Sequence, residues 1–491
     1  GSFTEEKIRE IKWLEHETTF THYNSMVQVD TNTYAMAYSG NGWDGYLATF
    51  TIPTHGRTIT EVASVEHYTA NGKNNSLCKV DADTYVLAFS DNSNDGIIKT
   101  FTISASGAIT TGVQLEHDIT YNWYNSLIQL DADTYVLAYT GNGNDGYIKT
   151  FTIPANGGSI TQVASLEHDL TQGHYSSLVK VDANTVALAY SSSSDQGYIK
   201  TFTIPADGSS ITQVASYRHD SIQGKYNSFV QADSDTYVLA YSGSGNDGFI
   251  KTFTIPADGS SITQVKKVEH DNVFGQYNSL VKISGGSDSY VLAYGGPDTQ
   301  GGSTYDGFIK TFSIPADGST VTETYVMEHS ITQGEYNSLV QMDENSFALA
   351  ESGGSDDGYI ITFDVRGSDQ VAPTFTSVTL ASNNATVVVN LDEFVFNTAS
   401  GSGSLEASDF ALSIAGGVAT LSSATPTSIS GSGQTYTLGI GLSGTPSGAE
   451  TLTVTPADNG IYDGSGNESS TTQSNNTVTL NDQLAPTISG V

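Results

Sequence analysis

A histidine closes an apolar strand seven times along this chain, at His16, His67, His117, His168, His219, His270 and His329, nearly always as Glu-His. Most intervals are about 50 residues, the spacing of propeller blades and not of helical repeats. Residues 124–169, YNSLIQLDADTYVLAYTGNGNDGYIKTFTIPANGGSITQVASLEHD, show the grammar of one interval. β-Branched and aromatic runs at 126–130, 134–139, 147–153 and 160–166 alternate with turn-forming clusters, which predicts four strands. The Asp131-Ala132-Asp133 connection and the Pro-Ala-Asp/Asn-Gly runs at Pro154, Pro205, Pro256 and Pro315 suit hairpins, because Pro presets φ and Gly tolerates positive φ. No stretch carries a helical period.

Seven such units can close into a ring in which each sheet buries both faces against its neighbours. The seventh repeat stops after its third strand, residues 359–365, while residues 7–16 (KIREIKWLEH) read as an isolated fourth strand. Pairing the two would complete the last blade and remove two exposed sheet edges. The expected fold is therefore all-β: a seven-bladed β-propeller of four-stranded blades over residues 7–366, closed by its N-terminal strand. Residues 1–6 read as a tag remnant and leader, with Gly1-Ser2 resembling a cloning scar.

Beyond Arg366 neither Lys nor Arg recurs, and Gly, Ser, Thr and Asn surround short alternating strands such as residues 386–389. A linker over 367–371 and a β-sandwich over 372–483 are expected, with 484–491 starting another copy. The run Asp369-Gln370-Val371-Ala372-Pro373-Thr374 returns as Asp482-Gln483-Leu484-Ala485-Pro486-Thr487, one sandwich length later. The chain thus reads as a piece of a longer array. The segments APTFTSVTLASNNATVVVNLDEFVFNTASGSGSLEASDFALSI, TYTLGIGLSGTPSG and GIYDGSGN resemble the bacterial Ig-like repeats of very large surface adhesins, including those of gliding bacteria exported by the type IX route. That resemblance covers about a quarter of the chain. It implies a stalk carrying a binding head, further Ig-like repeats as partners, and an extracellular address on a bacterial surface.

A net charge of −35 and a pI near 4.2 oppose binding to nucleic acid or anionic lipid. No apolar run approaches membrane-spanning length, so no membrane insertion is expected, and the molecule is read as a monomer. The single cysteine, Cys78, replaces an apolar strand residue and is expected to be buried and inert.

Antiparallel connectivity sorts the loops onto two sides of a ring. First-to-second and third-to-fourth turns repeat almost unchanged. Fourth-to-first and second-to-third loops vary, as a ligand-reading face would. The candidate ligand residues lie there: Tyr23, Asn24, Tyr124, Asn125, Tyr175, Tyr226, Asn227, Tyr277, Asn278, Tyr336 and Asn337 at the channel mouth, with Asn74-Asn75 and Tyr175-Ser176 as variants, and Trp43 and Trp123 in the loops. A repeated aromatic ring with a polar tip suits stacking on sugar faces plus hydrogen bonds to hydroxyls. The same Asn residues can equally tie down a turn, and either indole can cover a neighbouring loop. Tyr121, Phe20 and Phe274 mark the same side.

The seven histidines stand too far apart for one metal ion. They resemble instead the internal network of WD-type propellers, which implies hydrogen bonds from His16, His67, His117, His168, His219, His270 and His329 to Asp44, Asp95, Asp145, Asp247, Asp306 or Asp357. The fourth repeat departs with Asp195-Gln196-Gly197, and Trp-Asp itself is missing. Lys99, Lys149, Lys200, Lys251 and Lys310 are expected to pair with the Glu of Glu-His. No cofactor is required. Calcium is the ion to consider, with Asp91, Asp95, Asp392 and Asp463 as weak candidates, although the place of the bidentate Glu after Asp91 is Thr102. Turn chemistry explains these carboxylates equally well.

Three functions follow. The first is a surface adhesin whose head binds a polysaccharide, surface glycan or glycoprotein through the variable face, with no catalytic residues. The alternatives are a polysaccharide lyase or hydrolase built where repetition breaks (His22, His174, Lys73, Lys225, Glu335, Arg218), and a non-binding spacer.

Overall fold

The computed structural model describes residues 7–54, 56–284, 288–297, 305–343, 345–366, 372–399, 403–463 and 466–485. The tag remnant at 1–6, the linker at 367–371, residues 486–491 of the next copy and most of the sixth-repeat enlargement at 285–305 lie outside the described residues. The chain divides into two compact units, one ending at Val365 and one beginning at Arg366.

The first unit is all-β. Among the described residues its strands form seven four-stranded antiparallel sheets, each made from consecutive strands except the last. One sheet contains Trp123–Gln129, Thr134–Thr140, Gly146–Thr152 and Thr161–Asp169, in that order. The last orders Glu335–Gln341, Ser346–Ser352, Gly358–Arg366 and then Lys7–Glu17. The N-terminal strand therefore supplies the missing fourth strand, as the truncated seventh repeat required. The first strands of the sheets touch one another in a closed cycle, His22–Gln28 meeting both Lys73–Lys79 and Glu335–Gln341. This is the arrangement of a propeller scaffold.

Burial follows strand order. Each second strand, such as TYVLAYT at Thr134–Thr140, is buried at every residue, the half-buried Ser289 excepted, because both faces meet neighbouring sheets. The fourth strands are mostly exposed or half-buried up to the histidine, as in Thr161–Asp169. Core clusters accordingly lie in the seams between sheets: Leu130, Val136, Ala138 and Ile148 of one sheet pack on Leu178, Leu188, Tyr190 and Phe202 of the next.

Polar groups stitch the same seams. The serine of each Tyr-Asn-Ser run accepts a backbone N–H from the next first strand: Leu77 on Ser25, Leu127 on Ser76, Leu178 on Ser126, Phe229 on Ser177, Leu280 on Ser228, Leu339 on Ser279 and Met26 on Ser338, at 2.9–3.0 Å. Seven bonds thus run once around the ring and close it. The strand lysines cross the seams too, but not to the Glu of Glu-His. Lys99 and Lys149 donate to the carbonyls of His67 and His117 at 2.9 and 2.6 Å, and Lys200, Lys251 and Lys310 to those of His168, His219 and His270. Register explains the correction: Glu167 stands opposite Tyr147 and Ser165 opposite Lys149. Burial lowers the Lys251 ammonium to about 8.

The histidines also depart from expectation. Neither ring nitrogen of His16, His67, His168, His219, His270 or His329 hydrogen-bonds a protein group, and Nδ1 of His117 does not either. His117 Nε2 lies 3.5 Å from Asn122 Nδ2, and His329 Nδ1 lies 3.6 Å from Glu351. Close glycine contacts explain why no His–Asp network forms. The loop that carries Gly72 crosses the backbone at Gly45 so closely that a Cβ on Gly72 would stand 2.4 Å from Gly45 Cα, and the His67 ring lies on the same spot. The imidazole is therefore a flat spacer under a glycine crossing, set edge-on against Phe89 of the next sheet at 4.7 Å. Asp44, Asp95, Asp145, Asp247 and Asp357 instead close their loops through backbone carbonyls, and Asp306 is fully buried in a strand. The carboxylates that bond across the seams are Asp118, Asp169, Asp220 and Asp271, which accept from the hydroxyls of Tyr139, Tyr190, Tyr241 and Tyr294 at 2.7–3.0 Å.

The second unit is also all-β. Phe375–Leu380, Thr386–Leu391, Thr435–Gly439 and Ile429–Ser432 form one sheet, and Phe410–Ala415, Thr451–Pro456 and Thr477–Thr479 another. Strict alternation of buried and half-buried residues in Thr386–Leu391 and Thr451–Pro456 turns one face of each sheet onto a shared core of Val387, Val389, Leu412, Leu452 and Val454. Buried Glu450 accepts the N–H groups of Val418, Ala419 and Ser447 and the Ser447 hydroxyl, which hold its carboxyl down to about 2.

Candidate functional site at the ring mouth

The two variable loop sets do share one side: Gly72 N–H donates to Trp43 O, Gly173 to Asn144 O, Gly224 to Asp195 O and Gly275 to Asn246 O, at 2.7–2.9 Å. Each first strand begins beneath them with a β-bulge. In the strand Trp123–Gln129, Trp123 faces Thr140 but Ser126 already faces Ala138, so one residue is extra. The bulged residue is Tyr124, at φ 55°. Its equivalents take the same left-handed backbone: Tyr23, Asn74, Tyr175, Tyr226, Tyr277 and Tyr336, at φ 49–56°. For a tyrosine that conformation costs about 1–2 kcal/mol, whereas asparagine adopts it readily. Tyrosine repetition was visible in the sequence; the bulge that turns it out of the ladder was not.

The sequence-predicted mouth residues converge. Tyr23, Asn24, Asn74, Asn75, Tyr124, Asn125, Tyr175, Ser176, Tyr226, Asn227, Tyr277, Asn278, Tyr336 and Asn337 line one cavity of about 210 Å³. Successive tyrosine centroids are 4.4–4.9 Å apart from Tyr124 through Tyr175, Tyr226, Tyr277 and Tyr336 to Tyr23, and successive planes turn by 40–60°. The cycle is interrupted at Asn74, whose side chain accepts the Tyr124 N–H at 3.2 Å. Burial raises all six phenols, Tyr226 to about 12, so each is neutral at physiological pH.

The asparagines work as turn ties. Nδ2 of Asn75, Asn227, Asn278 and Asn337 donates to the carbonyl of the preceding tyrosine (Tyr23, Tyr175, Tyr226, Tyr277) and to that of its own glycine (Gly72, Gly224, Gly275, Gly334), at 3.0–3.3 Å. Asn125 bonds Asn74 O and Asn122 Oδ1. Oδ1 of Asn75, Asn125, Asn227, Asn278 and Asn337 is buried without a hydrogen-bond partner, and neither amide atom of Asn24 has one.

Above the tyrosines lies a rim whose variation is paired across seams. The third residue of a second-to-third loop, itself at positive φ in Trp43, Asn94, Asp195 and Asp356, meets the first residue of the next first strand. Lys73 Nζ sits 4.1 Å over the Trp43 ring, the Trp123 indole N–H donates to Asn94 Oδ1 at 3.2 Å, Lys225 pairs with Asp195 at 2.7 Å, and His22 approaches Asp356 at 3.3 Å. Position 43 is answered at 73, 94 at 123 and 195 at 225, a covariation within one chain that the sequence already contained. Both indoles are half-buried: Trp43 packs on Phe20 at 4.3 Å, Trp123 stacks on Tyr121 at 5.4 Å, and Phe274 packs on Tyr305 at 4.7 Å. Burial lowers the imidazoles of His22, which stacks on Tyr336 at 4.3 Å, and of His174. Arg218 stands apart on an exposed fourth strand, donating to Gln196 Oε1 at 3.4 Å.

The calcium candidates are engaged in local hydrogen bonds. Asp91 Oδ1 is occupied by the N–H groups of Ser93 and Asp95 and Oδ2 by the Tyr68 hydroxyl; burial and the Asp91 charge raise Asp95. Asp392 accepts from Thr374, and Asp463 from Asn467 N–H and Nδ2. Among the described residues no three His, Cys, Asp or Glu side chains gather as metal ligands. Cys78 is half-buried, its thiol raised by burial to about 11.

No protein-family model and no curated protein matches this chain. Solved structures with propeller folds do. A periplasmic gluconolactonase of Pseudomonas aeruginosa is 13% identical over 62% of this chain and 85% of its own, with a TM-score of 0.49. Sqt1 of Saccharomyces cerevisiae is 12% identical over 74% of this chain and 100% of its own, with a TM-score of 0.47. The WD40 domain of Toxoplasma gondii coronin is 11% identical over 74% and 90%, also at 0.47. None of these likenesses bears on the role of a mouth residue.

Proposed function

We propose that this chain is a piece of a bacterial surface adhesin: a seven-bladed β-propeller over residues 7–366 that binds carbohydrate or a surface glycoprotein at its mouth, followed by an Ig-like sandwich over residues 372–483 belonging to an extracellular stalk. One observation carries the binding reading. Asn74 performs the backbone task at the bulge without strain, yet six repeats place a tyrosine there in the left-handed region. The scaffold does not require that aromatic ring, so its retention is a feature of the surface it presents. Neutral phenols around a concave mouth donate and accept hydrogen bonds and offer apolar edges, the chemistry that sugar rings present in return. Ile119, Leu170, Ile222 and Ile331, each at least 60% exposed in the fourth-to-first loops, extend the contact surface beyond the mouth.

A glycan array tests this. Retention of the wild-type chain on one class of glycan is expected, reduced by Tyr124→Phe, Trp123→Ala and Trp43→Ala while the melting temperature of Tyr124→Phe holds. Uniform absence of retention, or retention indifferent to all three changes, removes the mouth as a recognition surface. Release of reducing ends or unsaturated sugars from a polysaccharide would favour the lyase or hydrolase alternative, with His22, Glu335 and Asp356 the groups to replace first.

A further inference from the structure

The mouth is rich in acceptors and short of cations. Its wall holds six buried amide oxygens without a hydrogen-bond partner, those of Asn24, Asn75, Asn125, Asn227, Asn278 and Asn337. In a low-dielectric wall such uncompensated dipole ends favour positive charge in the space beside them. Above them the phenol oxygens of neighbouring tyrosines interact around the ring. One carboxylate stands on the rim next to that circle, just outside the residues that line the cavity. Glu335 begins the seventh first strand, is half-buried, and meets the Tyr277 hydroxyl. Burial raises its carboxyl, and among the described residues it makes no ion pair. Each lysine of the rim is engaged elsewhere: Lys225 on Asp195 at 2.7 Å and Lys73 on the Trp43 face at 4.1 Å. Asp356, whose charge acts on Glu335, is shared by His22 and Gln333.

We infer that the mouth takes a primary ammonium group, seated beside Glu335 and the tyrosine hydroxyls. A primary ammonium carries three N–H donors and one positive charge, so it answers phenol and carboxylate acceptors at once. The cavity of about 210 Å³ admits such a head with part of the ring or chain that bears it. The net charge of −35 draws cationic ligands and repels acidic ones, which sets carboxylated and sulfated glycans aside. This inference rests on the carbohydrate reading for its source: the ammonium is that of an amino sugar without its acetyl group. A free polyamine offers the same chemistry from another source.

Titration calorimetry with three probes separates these possibilities: oligomers of glucosamine, matching oligomers of N-acetylglucosamine, and spermidine. The expected result is binding of the glucosamine oligomers, at least about tenfold weaker binding of the acetylated ones, and a similar loss for Glu335→Gln, tenfold being 1.4 kcal/mol. A melting temperature for Glu335→Gln at or above the wild type excludes unfolding as the cause of its loss. Spermidine binding with neither sugar bound supports the ammonium site and overturns its carbohydrate source. Equal binding of both sugars, unmoved by Glu335→Gln, overturns the ammonium site and leaves the carbohydrate reading standing. Binding of none of the three overturns the inference.

Discussion

Two places in each Tyr-Asn-Ser run behave differently around the ring. At the serine, the side chain does one job seven times, accepting the N–H of the next first strand, and the ring closes through those bonds. At the tyrosine the backbone alone does the repeated job, a left-handed bulge, and the second repeat does it with Asn74. Identity at the serine is explained by the seam. The tyrosine rings pack on one another around the mouth, but Asn74 shows that the bulge itself does not need one, which is why the mouth and not the seam carries the functional reading.

The largest effect that would break this contrast is acid unfolding of the seams. Burial lowers His67, His117, His168, His219, His270 and His329 to about 3 and His16 to about 4. Between pH 6.5 and about 3 the unfolded chain therefore binds protons that the folded ring does not. Stability present above pH 6.5 is lost as pH falls through that window, by about 1.4 kcal/mol per histidine per pH unit. Urea midpoints at pH 7.5, 6 and 5 should drop steeply, and His219→Leu should remove about one proton from the slope. A flat profile to pH 5 would show that the imidazoles are not buried and neutral.

Next in size is Tyr241→Ala. It empties a fully buried seam position and takes the hydroxyl from Asp220, so a loss of about 3–5 kcal/mol is expected by chemical denaturation. Ser228→Ala leaves the Leu280 N–H unpaired and should cost about 1 kcal/mol. Of similar size is Asn74→Tyr. It completes the tyrosine circle at the cost of left-handed strain, so stability should fall by no more than about 1–2 kcal/mol while any ligand of the mouth binds more tightly.

Period and pattern made the strands, the ring and the clasp between residues 7–16 and 359–365 legible, because each rests on burial repeated along the chain. The gathering of Tyr23, Tyr124, Tyr175, Tyr226, Tyr277 and Tyr336 at one mouth followed from the same repeat. What a repeated polar residue bonds to was not legible. Spacing says that His168 recurs but not that its ring lies under the crossing of Gly146 and Gly173, where no carboxylate fits. It says that Lys149 recurs but not that the register sets Glu167 opposite Tyr147. Such partners depend on ångström-scale register across a seam, and the reading from the WD-type pattern assigned the histidine a hydrogen bond where this chain uses packing. Trp43 and Trp123 read equally as ligand candidates and as covers of a neighbouring loop; their partners, Lys73 and Asn94, stand in adjacent repeats.

The most direct test of the mouth is Tyr226→Asn, which copies the second repeat's own solution into the fifth. Titration of this variant with whichever glycan the wild type retains is expected to show binding weakened at least about tenfold, 1.4 kcal/mol, with the urea midpoint nearly unmoved. Undiminished affinity in a folded Tyr226→Asn chain would contradict the proposal that the tyrosine circle exists to meet a ligand.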